Sequence, residues 1–182
     1  MSNYPKEYIM VDKDSIELIF SKEMQWIKNK ELRKKVINVW EEATIRGNWN
    51  SIEEVPFTLV FENSGKLTDH TKRITNLAKA VYDQRTEDLN LDYLIAGALL
   101  HDVGKLLEYE EQNGKHVKSE YGEKFRHPIS GATLAKELGL PDEVVLIIHA
   151  HSYEGNKLKR SPEAVIVNHC DFIDFDIKKS LV

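Results

Sequence analysis

The sequence predicts an all-α fold with one small β-hairpin insert, and three observations predict it. Apolar residues recur at helical spacing along most of the 182-residue chain. Gly, Pro and Asn punctuate the pattern into helix-sized segments. A polar interval between two such segments carries Asn113-Gly114, a pair that tolerates positive φ at both positions of a hairpin turn.

Over residues 15–47, Ile16, Ile19, Phe20, Met24 and Ile27 form one stripe, and Leu32, Val36, Val39 and Trp40 form the next. They predict two helices joined near Asn29–Lys30, with apolar faces that serve as packing surface. Gly47 and the Asn-rich residues 48–50 end the second. Residues 51–65 admit two readings, because Val55, Phe57, Leu59 and Phe61 alternate like a strand between helical neighbours. A long helix is expected over 68–85, with Ile74, Leu77, Ala78 and Val81 on one face. Residues 91–105 read as a strongly apolar helix entered through Asp92 and ended by Gly104. The hairpin falls within 107–117. Helices follow over 128–138, stopped by Gly139, and from Pro141 to about His151. The last opens at Ser161-Pro162-Glu163, where Ser caps and Pro presets the first turn, and runs to about Asp176.

Acidic residues outnumber basic ones by 30 to 25, a formal net charge of −5. That excludes a protein whose main task is gripping phosphate backbones, which needs a basic face, so no nucleic acid partner is expected. It permits a small phosphorylated substrate or nucleotide held by a few cations. The single cysteine, Cys170, rules out internal disulfides and CxxC zinc sites and implies a reducing compartment, the cytoplasm. No stretch of about 18 apolar residues exists to cross a membrane. Residues 1–14 lack the apolar run of a signal peptide. Trp26, Trp40 and Trp49 are expected in the core, and a homo-oligomer is compatible with the composition.

The chemistry resides in the placement of the seven histidines. His70 lies in the first turn of a helix. His101 and Asp102 end an apolar helix in Leu99-Leu100-His101-Asp102-Val103-Gly104-Lys105. His127 precedes a helix, His151 ends one, and Asp171 sits in the last helix. Neutral imidazole and ionised carboxylate are the donors a divalent first-row metal takes, and a lone buried carboxylate is costly without a positive partner.

The order His…His-Asp…Asp resembles the HD-domain superfamily of metal-dependent phosphohydrolases. Arg73, three residues after His70, fits that pattern, as do His127-Pro128-Ile129-Ser130-Gly131-Ala132 and Ile148-His149-Ala150-His151 as the extra histidines of two-metal members. The resemblance covers roughly residues 55–176 and implies an HD-domain helical bundle over 51–182, with residues 1–50 a helical extension packed on the core. It implies two divalent ions (Mn, Fe, Co, Ni or Zn) and favours Asp171 over Asp174, because Cys170-Asp171 aligns with the family's Ala-Asp step. It places Lys105 near substrate phosphate; the competing reading is a solvated lysine at a helix end. Arg126 is a weaker phosphate candidate.

Successive helical residues point about 100° apart, so His101 and Asp102 are expected to serve two neighbouring ions with Asp102 bridging them. His70 and Asp171 then complete one site, and His127 and His151 the other. Such a pair leaves room for a bridging water that two ions roughly 3.5–4 Å apart activate near neutral pH. His149 and His169 fall on other helix faces, and His116 lies on the hairpin. Pocket walls are expected from the first two helices and the 108–121 insert, with Lys115 and Lys118 capping them.

The implied activity is hydrolysis of a phosphate ester or small nucleotide, with Asp102 and Lys105 as catalytic residues. The alternative on the same scaffold is a di-iron oxygenase acting on a small phosphonate or polyol. A binding module that keeps its metal for stability is the third reading. Ser152-Tyr153-Glu154 stands where the superfamily's cyclic-dinucleotide phosphodiesterases carry Gly-Tyr-Pro, which disfavours that activity. Single-metal nucleotidases and alarmone hydrolases rank lower, because they leave His127 and His151 idle.

Overall fold

A computed structural model of the chain describes residues 13–181, so most of the N-terminal segment weighed as a leader lies outside the described residues. Helix α1 (Lys13–Ile19) is followed by α2 (Ser21–Met24) and α3 (Lys30–Arg46). Where one helix is expected before Asn29, the chain turns at Phe20 (φ −106°, ψ 22°). That turn lets Phe20 bury fully and pack on Trp40, ring centroids 5.2 Å apart, while Met24 enters the same core. Asn29 then starts α3 by accepting from the amides of Glu31 and Leu32.

The ambiguous segment is neither helix nor strand. After a short 3₁₀ turn (Ile52–Glu54) the chain forms a loop closed by Phe57 N–H to the Gly65 carbonyl and Leu67 N–H to the Val55 carbonyl. Pro56 and Lys66 make a single antiparallel bridge. The alternation buries Val55 and Phe57, but the loop's own return is its sole pairing edge among the described residues, and a ladder does not extend.

Helix α4 (Leu67–Tyr82) leads to α5 (Leu91–Leu100). Asn90, not Asp92, caps α5, accepting from Tyr93 N–H. Asp92 instead accepts from the backbone N–H groups of Lys28 and Asn29 at 2.7 and 2.8 Å, tying α5 to the start of α3. Every residue from Leu94 to Leu100 is buried, so α5 has no solvent face there and packs against α3, α4, α9 and α10. It ends at Leu100 rather than Lys105; residues 101–104 form turns, and α6 (Lys105–Glu108) follows.

The hairpin is where the Asn-Gly pair put it. β1 (Tyr109–Gln112) pairs antiparallel with β2 (Lys115–Lys118), and Asn113 and Gly114 take φ of 53° and 76°. Then come α7 (Glu120–Lys124), α8 (His127–Glu137), α9 (Asp142–Ala150), a 3₁₀ turn (Tyr153–Lys157) and α10 (Pro162–Lys179). Ser161 caps α10 by accepting from Ala164 N–H.

One apolar cluster runs from Ile16 to Ile148, joining the N-terminal helices to α5, α6, α8 and α9. A smaller one fills the space between α4, α5, α9 and α10 around Ile74, Leu94, Ile147 and Val167. Trp40 and Trp49 are buried, and Trp26 is partly buried against the first cluster. Among the described residues no helix is long and apolar enough to cross a membrane. The site lies where α4, the α5–α6 turn, α8, α9 and α10 converge.

Candidate metal centre

Each expected donor sits at or near a helix end, where a short turn sets its direction. His70 is in the first turn of α4, His101 and Asp102 follow α5, His127 opens α8, His151 follows α9, and Asp171 faces them from α10. His70, His101, His151, Asp102 and His127 are buried, while Asp171 keeps partial exposure. They form two groups that share one residue: His70, His101, Asp102 and Asp171, and Asp102, His127 and His151.

Asp102 turns a different oxygen to each group. Its Oδ2 lies 3.3 Å from His70 Nε2 and 3.4 Å from His101 Nε2. Its Oδ1 lies 3.2 Å from His127 Nε2 and 3.5 Å from His151 Nε2. Asp171 Oδ1 is 3.2 Å from His70 Nε2 and 3.9 Å from His101 Nε2. His101 and Asp102 meet in one group although neighbouring helical residues point about 100° apart, and Asp102 also reaches the second group through its other oxygen. The His101 imidazole folds back over the preceding turn, its Nδ1 donating to the Ala98 carbonyl at 2.7 Å, and that reach closes the angle.

Hydrogen bonds fix which nitrogen each imidazole offers. His101 and His151 place Nδ1 against the carbonyls of Ala98 and Ile148 at 2.7 and 2.6 Å; a carbonyl only accepts, so Nδ1 carries the hydrogen and Nε2 the lone pair. His70 and His127 place Nδ1 against Asp174 (2.7 Å) and Glu108 (2.5 Å). A carboxylate behind the ring makes Nε2 a more basic ligand. Each group thus has one carboxylate-backed and one carbonyl-backed histidine.

The donor set fits a divalent cation. His151 Nε2 is buried with no hydrogen-bond partner among the described residues. His70 Nε2 and His101 Nε2 face each other at 3.1 Å, a repulsive meeting of lone pairs unless a proton or cation stands between them. Burial alone would lower the His70 pKa, but hydrogen bonds with Asp102, Asp171 and Asp174 outweigh it and raise it to about 9. A bound metal would displace that proton. Burial opposes ionisation of Asp102, yet Lys105, His101 and His127 hold it well below the usual carboxylate range. Burial depresses His127 despite the pull of Asp102 and Glu108.

Lys105 is not a solvated helix-end lysine. It is buried, and Nζ donates to Asp102 Oδ2 at 2.6 Å and to the Phe57 carbonyl at 2.8 Å. Asp174 backs His70 and pairs with Arg73 (Nε–Oδ1 2.5 Å), so Asp171 is the carboxylate that joins the donor group. His149 is partly buried outside both groups, and His116 and His169 are exposed.

A pocket of about 420 Å³ opens onto Asp102, His127 and Asp171. The first two helices do not line it, contrary to expectation, because they are spent on the apolar core behind α5. Its walls come from the loop after the first 3₁₀ turn (Phe57 to Val60), Phe172 and Phe175 of α10, Arg126 and Tyr153. Of the hairpin lysines, Lys118 lines it, whereas Lys115 lines a neighbouring hollow.

Sequence reasoning missed three supporting residues. Glu108 accepts from both the backbone N–H and Nδ1 of His127. Phe57 stacks on His70 with ring centroids 3.9 Å apart, and Asn168 Nδ2 donates to the His151 carbonyl at 2.5 Å. Only Glu108 left a trace, as a carboxylate directly after the apolar pair Leu106-Leu107.

A helical bundle that gathers four imidazoles and two carboxylates, of which Asp102, His127 and Asp171 face a pocket, presents the donors that could hold divalent metal. The chain belongs to the HD domain family, whose model matches residues 67–176. It is 33% identical over 164 residues to a dihydroneopterin 2',3'-cyclic phosphate phosphodiesterase of Methanocaldococcus jannaschii, an overlap of 83% of this chain and 66% of that protein. It is 33% identical over 85 residues to a ribonuclease Y of Fervidobacterium nodosum, covering 47% of this chain and 14% of that protein. A ribonuclease Y of Pseudothermotoga lettingae is 26% identical over 162 residues, covering 86% and 28%. The chain thus spans just under two thirds of the first relative's length and much less of the others'. No solved structure matches it.

Proposed function

We propose that the protein is a metal-dependent phosphohydrolase that cleaves a small phosphate ester, such as a phosphodiester or small nucleotide. His70, His101, Asp102 and Asp171 would hold one divalent ion, and Asp102, His127 and His151 a second. Such a pair supplies Lewis acidity toward phosphate oxygens and acidifies a water near neutral pH. The observation that carries the reading is Asp102, buried and turning Oδ2 to one donor group and Oδ1 to the other.

The chain's own residues set the stage for that chemistry. Lys105 holds Asp102 Oδ2 in place and partly neutralises a crowded set of carboxylates. Phe57 covers one face of His70 and keeps water from it. Lys118 and Arg126 bring positive charge to the pocket, while Leu59, Phe172 and Phe175 offer an apolar wall for the organic part of the ester. The cationic wall and the phosphodiesterase relative support phosphoester hydrolysis over oxygen chemistry. We also assign residues 1–50 as an extension of the catalytic domain, and the cytoplasm as its compartment, from the unpaired Cys170.

Protein stripped of metal and reloaded with manganese, iron, cobalt, nickel or zinc tests the reading. The substrates are bis(p-nitrophenyl) phosphate, p-nitrophenyl phosphate, 2',3'-cyclic nucleotides and a short RNA. Metal-dependent release from a small ester, lost in Asp102→Ala, is expected. Full activity in Asp102→Ala, or oxygen uptake by iron-loaded protein with no ester turned over, would contradict it.

A further inference from the structure

Three cations border the pocket, and their commitments differ. Lys105 is buried and already donates to Asp102 and the Phe57 carbonyl. Lys118 stands on the exposed hairpin. Arg126 is intermediate, its side chain 38% exposed, and it directly precedes His127 of the second donor group.

The guanidinium of Arg126 is oriented but not saturated. Nη1 donates to Tyr153 Oη at 3.0 Å, and Cζ stands 5.5 Å from the Tyr153 ring centroid. Nε is buried and makes no hydrogen bond. Two carboxylates flank it beyond hydrogen-bond reach of a protein N–H, Glu108 Oε1 at 3.6 Å and Glu154 Oε1 at 3.5 Å. Glu108 is committed to His127, but both oxygens of Glu154 lack any hydrogen-bond partner. A buried donor and a buried acceptor that almost meet cost free energy as they stand.

We propose that Arg126, held by Tyr153, is the oxyanion-binding residue of the substrate subsite beside His127 and His151, and that Glu154 is the anion a substrate phosphoryl oxygen displaces. The inference rests on the phosphohydrolase reading and deepens it. A phosphoryl oxygen is the matching ligand because a planar guanidinium presents parallel N–H groups to phosphate. The contact given up is a loose one, so displacement exchanges a poor ion pair for a hydrogen-bonded one. Glu154 therefore lowers affinity for every anion, and its removal strengthens binding.

Metal-loaded wild type, Arg126→Ala, Arg126→Lys and Glu154→Gln are titrated with inorganic phosphate by calorimetry, with metal content measured on the same samples. KM and kcat for bis(p-nitrophenyl) phosphate are read alongside. Arg126→Ala is expected to weaken phosphate binding by about 10- to 100-fold and to raise KM at unchanged metal content, with Arg126→Lys recovering part. Glu154→Gln is expected to tighten phosphate binding. Shifts of opposite sign are not the signature of a structural role. Phosphate binding in Arg126→Ala equal to wild type, a shift of both variants in the same direction, or loss of metal from Arg126→Ala would overturn the assignment while leaving the phosphohydrolase reading standing. Wild type that takes up neither metal nor phosphate would overturn both.

Discussion

Gly104→Ala places two known effects in opposition at the heart of the site. Gly104 has helical dihedrals (φ −63°, ψ −15°), where alanine ordinarily stabilises a protein by about 0.4–1 kcal/mol through the unfolded chain. Here an added Cβ would stand 2.2 Å from the His127 carbonyl oxygen, 2.7 Å from the Gly131 nitrogen and 2.7 Å from Ser130 Oγ. Two of those atoms are backbone of α8 and cannot rotate away, so the turn after Asp102 and the start of α8 must part. Overpacking of that kind costs about 1–3 kcal/mol, and contacts this short put the cost at the upper end. The net loss is about 2 kcal/mol, or roughly 4–8 °C in Tm for a chain of this size. Because His127 opens α8, the second donor group loosens as well, and metal retention falls with stability. Thermal unfolding followed by circular dichroism, with metal content measured on the same protein, reads both. A Tm at or above wild type with metal content unchanged would refute the reasoning.

Three further outcomes follow from the same contacts. Asp174→Asn and Glu108→Gln remove the carboxylates behind His70 and His127, so each is expected to weaken metal binding about 10- to 100-fold; metal titrations should show the loss at a different site in each variant. Chelation should lower Tm, and a metal restored to about 100 times its Kd should return about 2.7 kcal/mol per site, visible as a rise of roughly 5–11 °C; a Tm indifferent to chelator and metal would contradict the site. Trp49→Phe removes the bond from Nε1 to the Leu106 carbonyl (2.8 Å) and strands a buried acceptor beside α6. Denaturant unfolding should show a loss of about 1–3 kcal/mol.

Much of the architecture was legible from local signals: the buried stripe of α3, the Ser161 cap and the Asn113-Gly114 turn. On α4 only Ile74 and Ala78 of the expected stripe are buried; Leu77 and Val81 are exposed, because the buried face turns toward His70, Thr71 and Thr75. What escaped depends on distant partners. The alternation at Val55 and Phe57 reflects a loop pinned by its own return at Lys66, not a sheet. Asp92 looked like a helix entry because its true partners, the amides of Lys28 and Asn29, lie more than sixty residues away in sequence. The α5–α6 break leaves no local breaker before Gly104: residues 101–104 form turns, and His101 Nδ1 reaches back to the Ala98 carbonyl. The six candidate donors stood out by their order and by the family resemblance it carries, and the structure gathers them into two groups that share Asp102. Arg126 stood out only as a weaker phosphate candidate, and the roles of Glu108 and Glu154 were not legible, since a charged residue near a hairpin or helix end reads as surface until its neighbours are placed.

The central claim is that Asp102 joins two metal sites. Elemental mass spectrometry of protein purified without chelator, wild type beside Asp102→Ala, tests it most directly. The account predicts close to two divalent ions per wild-type chain and near-complete loss of both in Asp102→Ala, because each group gives up one carboxylate oxygen. A single ion in wild type would detach His127 and His151 from the site. Metal retained in full by Asp102→Ala, or no metal in wild type even after reconstitution, would contradict the account.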